Sequence, residues 1–218
     1  IVILLLLIPC KVYSQKIISN KKDTLIGYTL VQNDFIIKKV GKDQPHQGVI
    51  ALVNSVFKNS IDELKFFPTK DRVVILDQIS DPQNIGAIIR SAISFGITKI
   101  VFSKHNSPKE NATMIKSSAG TIENAELFEV VNFSNLLEKL KELGYWSIGL
   151  EGTSKTQISN LKGYKNIALV VGSEGSGIRT LVKKNCDILA KIKISDKVES
   201  LNASVATAIA LYELFGKN

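Results

Sequence analysis

The sequence predicts an α/β protein with two domains: a small α+β domain over residues 1–57 and, after a linker over 58–70, a parallel-sheet domain over 71–218. Three observations predict this division. From residue 72 onward, short β-branched runs alternate with helical patterns, which is typical of a parallel sheet covered on both faces. The runs are continuously apolar, as in strands buried on both sides. The linker contains Asn59-Ser60 and Phe67-Pro68, which interrupt regular structure.

The elements of the larger domain follow one another at short spacing. Val73–Leu76 is the first predicted strand, and isoleucines with helical spacing predict a helix over 85–93. Further strands are predicted at 100–102, 127–130, 146–150, 167–171 and 188–194, and further helices at 135–143, 178–184 and 203–215. Ligands of open parallel sheets bind where loops leave the carboxyl ends of the strands, so those loops are the candidates for function.

Composition indicates a globular protein and points to a polyanionic partner. Apolar residues make up 44% of the chain, which excludes a disordered segment. The formal net charge is +8, and residues 1–70 hold 10 basic against 5 acidic side chains. A basic domain on a globular chain suggests nucleic acid as the partner, although a solvated lysine-rich surface is the commoner explanation of such an excess.

The cysteines, the histidines and the first residues exclude several classes of protein. Cys10 and Cys186 form no Cys-x-x-Cys pair, so neither a disulfide framework nor a zinc site is expected, and a reducing compartment such as the cytoplasm fits. With only His46 and His105, a histidine-rich metal centre cannot be built, and no metal is expected. The apolar run Ile1–Ile8 is shorter than the about 18–20 residues of a membrane span and is interpreted as a buried strand or helix of a truncated domain, so no membrane partner is expected.

The first candidate loop leads from the strand at 73–76 into the following helix. Asn84 falls at the predicted helix start, where its side chain could cap free backbone N–H groups. Gly86 permits close approach of a ligand or of another backbone. Arg90 is one of three arginines in the chain and lies beside the apolar stripe. Its fork of donors suits phosphate or ribose oxygens, and an internal ion pair is an equally good explanation.

The second and third candidate loops are rich in small residues. Gly172 and Glu174 belong to a glycine-rich turn that follows a buried strand, but its spacing is neither that of a P-loop nor that of the dinucleotide fingerprint. Without other support, a solvated turn would be the better explanation of Glu174. Ser200 and Asn202 precede the last helix and could cap it. Small residues on that helix permit core packing or a subunit interface: Ala203, Ala206 and Ala210.

Taken together, the order and spacing of the three loops resemble the SpoU family of RNA ribose 2′-O-methyltransferases, which belongs to the knotted SPOUT class. The resemblance covers about residues 44–218. The first family motif matches Asn84, Gly86 and Arg90; the second matches Gly172, Glu174 and Gly175; the third matches Ser200, Leu201, Asn202 and Ser204. The segment Pro45–Ala51 is similar to the end of the substrate domain in the branch that methylates a guanosine of large-subunit ribosomal RNA.

The resemblance implies a trefoil knot and S-adenosylmethionine as cofactor, held by the backbone of Gly172, Ile192 and Leu201. It assigns help with proton removal to Arg90, positioned by the side chains of Asn84, Glu174, Ser200 and Asn202. Because a guanidinium stays protonated at neutral pH, we expect Arg90 to grip a phosphate and orient the ribose hydroxyl, while a phosphate oxygen or water takes the proton.

The resemblance also implies an RNA partner and a homodimer formed through the knot and the last helix. RNA contacts are expected from the basic first domain, including Lys38, Lys39 and Lys42. The chain departs from the family at Lys193, where proline is usual, and we expect its first domain to lack the usual opening. Three alternatives stay open: a transfer-RNA methyltransferase of the same family, an RNA-binding protein without catalysis, and a nucleotide-dependent oxidoreductase, which the missing fingerprint disfavours.

Overall fold

The computed structural model describes residues 71–105, 107–161 and 163–216, together with residue 34 and the short segments 2–4, 37–38, 51–53 and 57–58. The chain divides into two compact units, Ile1–Asn54 and Ser55–Asn218. In the first unit, strand β1 (Val2–Leu4) pairs antiparallel with strand β2 (Ala51–Val53). Apart from residues 34, 37–38 and 57, the rest of the predicted α+β domain lies outside the described residues, as do residues 59–70 of the predicted linker.

The second unit contains a parallel sheet of seven strands. In chain order the strands are β3 (Phe57–Lys58), β4 (Arg72–Asp77), β5 (Lys99–Ser103), β6 (Glu126–Val130), β7 (Trp146–Leu150), β8 (Ile167–Gly172) and β9 (Ile188–Ala190). In space the order is β3-β6-β5-β4-β8-β7-β9. The chain runs outward from β4 in one direction and later resumes at β8 and β7 on the other side, and ligands bind parallel sheets at such a switch of direction.

Helices cover both faces of this sheet. They are α1 (Pro82–Ser94), α2 (Ala112–Ser118), α3 (Phe133–Glu142), α4 (Thr180–Asn185) and α5 (Ala203–Phe215), with 3₁₀ turns at Thr121–Asn124 and Ile158–Asn160. Leu136, Leu137 and Leu140 of α3 join one core cluster with Val73 and Ile75 of β4. Val74 and Leu76 are equally buried on the opposite face, since successive strand residues point to opposite sides.

The predicted alternation of strands and helices is confirmed, with shifts at some ends. The predicted strand over 188–194 ends at Ala190, because residues 191–202 form a loop that lines a cavity instead. The predicted helix over 178–184 begins at Thr180, because Ile178 is buried beneath the preceding turn. Helix α2 was not predicted, since its seven residues are too few for a clear apolar period.

Gly86 allows α1 to pack closely against α2. A Cβ atom at Gly86 would lie 1.9 Å from Ser117 Oγ and 2.4 Å from the carbonyl oxygen of Met114. Both distances are far shorter than van der Waals contact, so any side chain would force the helices apart. The sequence allowed Gly86 to approach either a ligand or another backbone closely. In the structure it approaches the backbone of α2.

No helix within the described residues is long and apolar enough to cross a membrane. Within the same residues, no group of three or more histidine, cysteine, aspartate or glutamate side chains is placed to hold a metal ion.

Candidate active site

Three loops leave the carboxyl ends of strands and meet on one side of the sheet. Loop A (residues 78–84, which include the first three residues of α1) follows β4, loop B (residues 173–179) follows β8, and loop C (residues 191–202) joins β9 to α5. Asp77 and Gly172 stand opposite each other in the β4–β8 pairing, so loops A and B leave the sheet side by side. The three segments singled out in the sequence therefore converge in the folded chain.

Asn84, Glu174 and Asn202 form one hydrogen-bonded cluster, which we call the Asn–Glu–Asn cluster. Oε1 of Glu174 accepts hydrogen bonds from Asn84 Nδ2 at 2.9 Å, from Asn202 Nδ2 at 2.6 Å and from the backbone N–H of Ala203 at 3.2 Å. Asn202 Nδ2 also donates to Asn84 Oδ1 at 2.9 Å. One carboxylate oxygen thus ties loops A, B and C together.

The helix α5 sets the orientation of both amides in this cluster. Asn202 is the N-cap of α5: its Oδ1 accepts from the backbone N–H groups of Ser204 at 2.9 Å and Val205 at 3.3 Å. Because backbone N–H groups can only donate, Asn202 must turn its Nδ2 toward Glu174 and Asn84. Asn84 must then accept with its oxygen and donate with its nitrogen. The cluster consequently has a single consistent arrangement of donors and acceptors.

The sequence-based interpretation of Asn84 as a helix cap is wrong. The N-cap of α1 is Asp81, whose carboxylate accepts from the backbone N–H of Gln83 at 2.9 Å. Asn84 is the third residue of α1, and its side chain is buried where it reaches across to loops B and C. Asn202 does cap its helix as expected, whereas no side-chain hydrogen bond of Ser200 occurs among the described residues.

Loop B folds tightly over Gly172. A Cβ atom at Gly172 would lie 2.1 Å from the carbonyl carbon of Gly177 and 2.2 Å from the backbone nitrogen of Ile178. Ser173 and Gly177 close the turn with two backbone hydrogen bonds of 3.2 and 2.9 Å, and Gly177 has a positive φ of 65°. Glycine is therefore required at 172 by contact and favoured at 177 by conformation.

An ion pair between a buried aspartate and a partly exposed arginine anchors the far end of loop B, and it was not predicted from the sequence. Asp77 is fully buried at the end of β4 and accepts three contacts from Arg179: from its backbone N–H at 2.8 Å, from Nε at 2.7 Å and from Nη2 at 2.7 Å. The guanidinium also lies 5.5 Å from the ring centre of Phe133. An aspartate that ends a buried strand and one of only three arginines were the available signals, but their 102-residue separation concealed the pairing.

A cavity of about 170 Å³ opens beside the Asn–Glu–Asn cluster. The three residues that the sequence assigns to cofactor binding all line it: Gly172, Ile192 and Leu201. Glu174 and Ser200 line it as well, together with Glu151 and Gly152 after β7. The walls are mostly strand ends and small or aliphatic residues, so backbone groups and apolar surface are what the cavity presents to a ligand.

Arg90 is not in contact with the Asn–Glu–Asn cluster. Its side chain is exposed on α1, and across the described part of the chain its guanidinium makes no hydrogen bond or ion pair. Arg90 thus forms no ion pair with any of the described residues, although the sequence allowed one.

The lysines singled out in the sequence are exposed or lie outside the described residues. Lys193 is exposed in loop C, and Lys38 is exposed in the first unit. Lys39 and Lys42 lie outside the described residues.

Two ionisable groups near the cavity have shifted pKa values. Partial burial by itself raises the pKa of Glu151, but hydrogen bonds from Lys183 and Thr153 outweigh burial and hold that pKa below its ordinary value. Burial, reinforced by the negative charges of Asp187 and Asp77, raises the pKa of the Cys186 thiol to about 12. Glu151 is therefore ionised at neutral pH, whereas Cys186 is a neutral thiol that packs against the core.

The fold and the site define a class of protein: a parallel α/β domain with a small-ligand cavity of backbone walls at the carboxyl ends of its strands. The chain belongs to the SpoU rRNA Methylase family, which matches residues 71–212. This region contains all three loops and every member of the Asn–Glu–Asn cluster.

Relatives and solved structures agree with this membership. Two relatives carry the name "Putative TrmH family tRNA/rRNA methyltransferase". YacO of Bacillus subtilis is 39% identical, and the match covers 79% of this chain and 71% of YacO. The Staphylococcus aureus protein is 36% identical, and the match covers 93% of this chain and 82% of that protein.

Two crystal structures have the same fold at low identity. AviRb from Streptomyces viridochromogenes, a SpoU methyltransferase in complex with AdoMet, has a TM-score of 0.65 at 21% identity, over 71% of this chain and 60% of its own. An rRNA methyltransferase from Sinorhizobium meliloti has a TM-score of 0.72 at 20% identity, over 84% and 68%. This chain therefore spans less than two thirds of AviRb.

Proposed function

We propose that this protein transfers a methyl group from S-adenosylmethionine to a ribose 2′-hydroxyl of RNA, with a guanosine of large-subunit ribosomal RNA as the target. The observation that carries the proposal is the Asn–Glu–Asn cluster at the edge of the backbone-walled cavity. Family membership supports an RNA methyltransferase, and the AdoMet complex of AviRb supports this cofactor. The guanosine target rests on the likeness of Pro45–Ala51 to one branch of the family.

The residues that line the cavity fit the cofactor. Gly172, Ile192 and Leu201 all line the cavity, so a ligand there would lie beside their backbone groups. Backbone N–H and C=O groups match the hydrogen-bonding edge of an adenine. When bound, S-adenosylmethionine supplies a methyl group on a positively charged sulfur, which is already activated for transfer.

The chain's own side chains would position the RNA. The Asn–Glu–Asn cluster holds loops A, B and C in register, and the exposed hydroxyl of Ser200 at the rim would contact the ribose. The exposed Arg90 guanidinium would grip a phosphate with its fork of donors and orient the hydroxyl. A phosphate oxygen or water would take the proton, since guanidinium is not a base at neutral pH.

Four further properties belong to the same proposal. Loops B and C would form the trefoil knot. The chain would act as a homodimer in the cytoplasm, joined through the knot and α5, where Val205 and Tyr212 are exposed. Residues 1–57 would bind RNA through Lys38, Lys39 and Lys42. Sedimentation of the purified protein tests the dimer directly.

Two measurements test the function. Calorimetric titration with S-adenosylmethionine separates a methyltransferase from an RNA-binding protein without catalysis, which need not bind the cofactor. Mapping of 2′-O-methyl groups on ribosomal and transfer RNA from cells with and without the protein identifies the target. Loss of one guanosine methylation in large-subunit RNA is expected. Loss of a transfer-RNA site would replace the proposed target, and an unchanged map with no cofactor binding would refute the function.

Replacement of Arg90 tests the proposed phosphate grip. We expect Arg90→Lys to slow methyl transfer by on the order of 100-fold, because a point charge does not reproduce the planar fork and small misplacements are costly. Cofactor affinity should be unchanged. The comparison variant is Arg72→Lys, because Arg72 begins β4, at the end of that strand away from the three loops. Near-normal transfer by Arg90→Lys would rule out the fork-geometry argument.

Salt dependence tests the proposed RNA contacts. Affinity for an unmodified large-subunit RNA transcript should fall steeply with salt, because phosphate contacts release counterions. Neutralising Lys38, Lys39 and Lys42 to glutamine should reduce the slope of log affinity against log salt by about 2–3.

The control for that slope is a triple variant in which three exposed lysines of the larger unit are changed to glutamine. These are Lys116, Lys139 and Lys165. An affinity that hardly changes with salt, or equal slopes for both triple variants, would contradict the assignment of RNA binding to the first domain.

A further inference from the structure

Glu151 is a carboxylate in the wall of the cavity to which neither the motifs nor the family likeness assigns a role. It follows β7 directly, and its backbone N–H donates to the carbonyl of Ala190 in β9 at 2.9 Å. Leu150, Glu151 and Gly152 all line the cavity, beside the end of the neighbouring strand β8. A ligand in the cavity would therefore lie next to Glu151.

Neighbouring side chains fix the Glu151 carboxylate in position. Oε2 forms an ion pair with Lys183 of α4, and Oε1 accepts from Thr153 Oγ1 at 3.0 Å. The side chain is 16% exposed and Lys183 is 30% exposed, so the pair is partly shielded from water. A carboxylate offers about four lone-pair positions, so each oxygen keeps acceptor capacity for a ligand.

From this geometry we infer that Glu151 binds the ribose hydroxyls of the nucleoside that occupies the cavity. The inference rests on the proposed function, because it takes that nucleoside to be S-adenosylmethionine. An ionised, held carboxylate at the carboxyl end of a parallel strand is a good acceptor for a vicinal diol, and other nucleotide-binding sheets use an acidic residue in this way. Hydrogen bonds to a charged acceptor are also the stronger ones.

The two other carboxylates that line the cavity are less suited to this role. Oε1 of Glu174 already accepts three hydrogen bonds within the Asn–Glu–Asn cluster. Glu199 is exposed in loop C, and its side chain has no hydrogen-bond partner among the described residues to hold it in place. Glu151 alone among the three is both shielded and held by neighbours that leave it room to accept.

Calorimetry with paired ligands tests the inference without relying on turnover. The ligands are S-adenosylhomocysteine and its 2′-deoxy and 3′-deoxy analogues, titrated into the full chain. Wild-type protein should bind at least one deoxy analogue about 10-fold or more weakly, as expected for a lost hydrogen bond to a charged group. Glu151→Gln should bind the parent ligand about 10-fold more weakly and should lose most of the discrimination between parent and deoxy ligand.

Glu199→Gln is the matched control, because it makes the same chemical change in another carboxylate of the cavity wall and should leave the discrimination unchanged. Undiminished discrimination in Glu151→Gln would overturn the inference. So would a wild-type protein indifferent to both hydroxyls, whether or not the variant folds. Wild-type protein that binds neither S-adenosylmethionine nor S-adenosylhomocysteine would refute the proposed function itself, a result distinct from the other two.

Discussion

Replacement of Arg179 with leucine is expected to lower the free energy of unfolding by about 2–3 kcal/mol. Leaving a buried charge without its partner costs about 3–5 kcal/mol, and solvent screening reduces that figure here because the Arg179 side chain is 36% exposed. Asp77 is fully buried, and the Arg179 guanidinium supplies two of its three contacts. After the substitution, Asp77 keeps the hydrogen bond from the backbone N–H of residue 179, but the buried carboxylate loses the positive charge beside it. Urea unfolding at neutral pH measures the loss.

Arg90→Leu is the matched control for that experiment. It removes an exposed arginine whose guanidinium has no partner among the described residues, so the free energy of unfolding should change by no more than about 0.5 kcal/mol. Equal losses for the two variants would mean that the pair between Asp77 and Arg179 contributes nothing beyond the removal of an arginine. Loop B would then need another anchor.

Replacement of Gly172 with alanine is expected to weaken S-adenosylmethionine binding by roughly 5- to 150-fold. The new Cβ atom would lie 2.1 Å from the carbonyl carbon of Gly177, and backbone cannot rotate away as a flexible side chain can. Overpacking of this kind costs about 1–3 kcal/mol, and strain of that size confined to the binding loop gives the stated change in affinity. Calorimetry measures the affinity, and thermal unfolding measures the accompanying loss of stability.

Gly175→Ala is the control, because Gly175 is in the same turn but a Cβ atom there meets nothing within 4 Å. Its affinity should stay close to that of the wild type. If Gly172→Ala bound the cofactor normally, loop B would be more adaptable than its contacts with Gly172 indicate. Backbone recognition at Gly172 would then lose its main support.

Much of the second unit could be predicted from the sequence because its strands are buried on both faces. Continuous β-branched runs such as Val73–Leu76 have few other uses, and the strand predicted at 146–150 matches β7 at both ends. The shortest elements were not predicted, notably α2 with seven residues and β3 with two. These elements exist because neighbours pack against them, which local patterns do not record.

Within the site, residue types and their order were predictable, but several roles were not. Capping of a helix was one explanation that the sequence offered for Asn84, yet Asp81 caps that helix, and the Asn84 amide bonds with Glu174 and Asn202 across the fold instead. The ion pair of Asp77 with Arg179 was missed, because it joins residues 102 positions apart. Glu151 was not noticed, because only the convergence of β7, β8 and loop C places it in the cavity wall.

The alternation of strands and helices, the glycines of the turn and the candidate residues of the three loops could be found from the sequence, since each depends on local spacing or conformation. Which side chains meet could not, because it depends on how distant segments pack. Asn84, Glu174 and Asn202 become neighbours because parallel strands bring their carboxyl ends to one edge of the sheet. The arrangement of donors and acceptors in that cluster depends on α5, because the first N–H groups of this helix fix the orientation of the Asn202 amide.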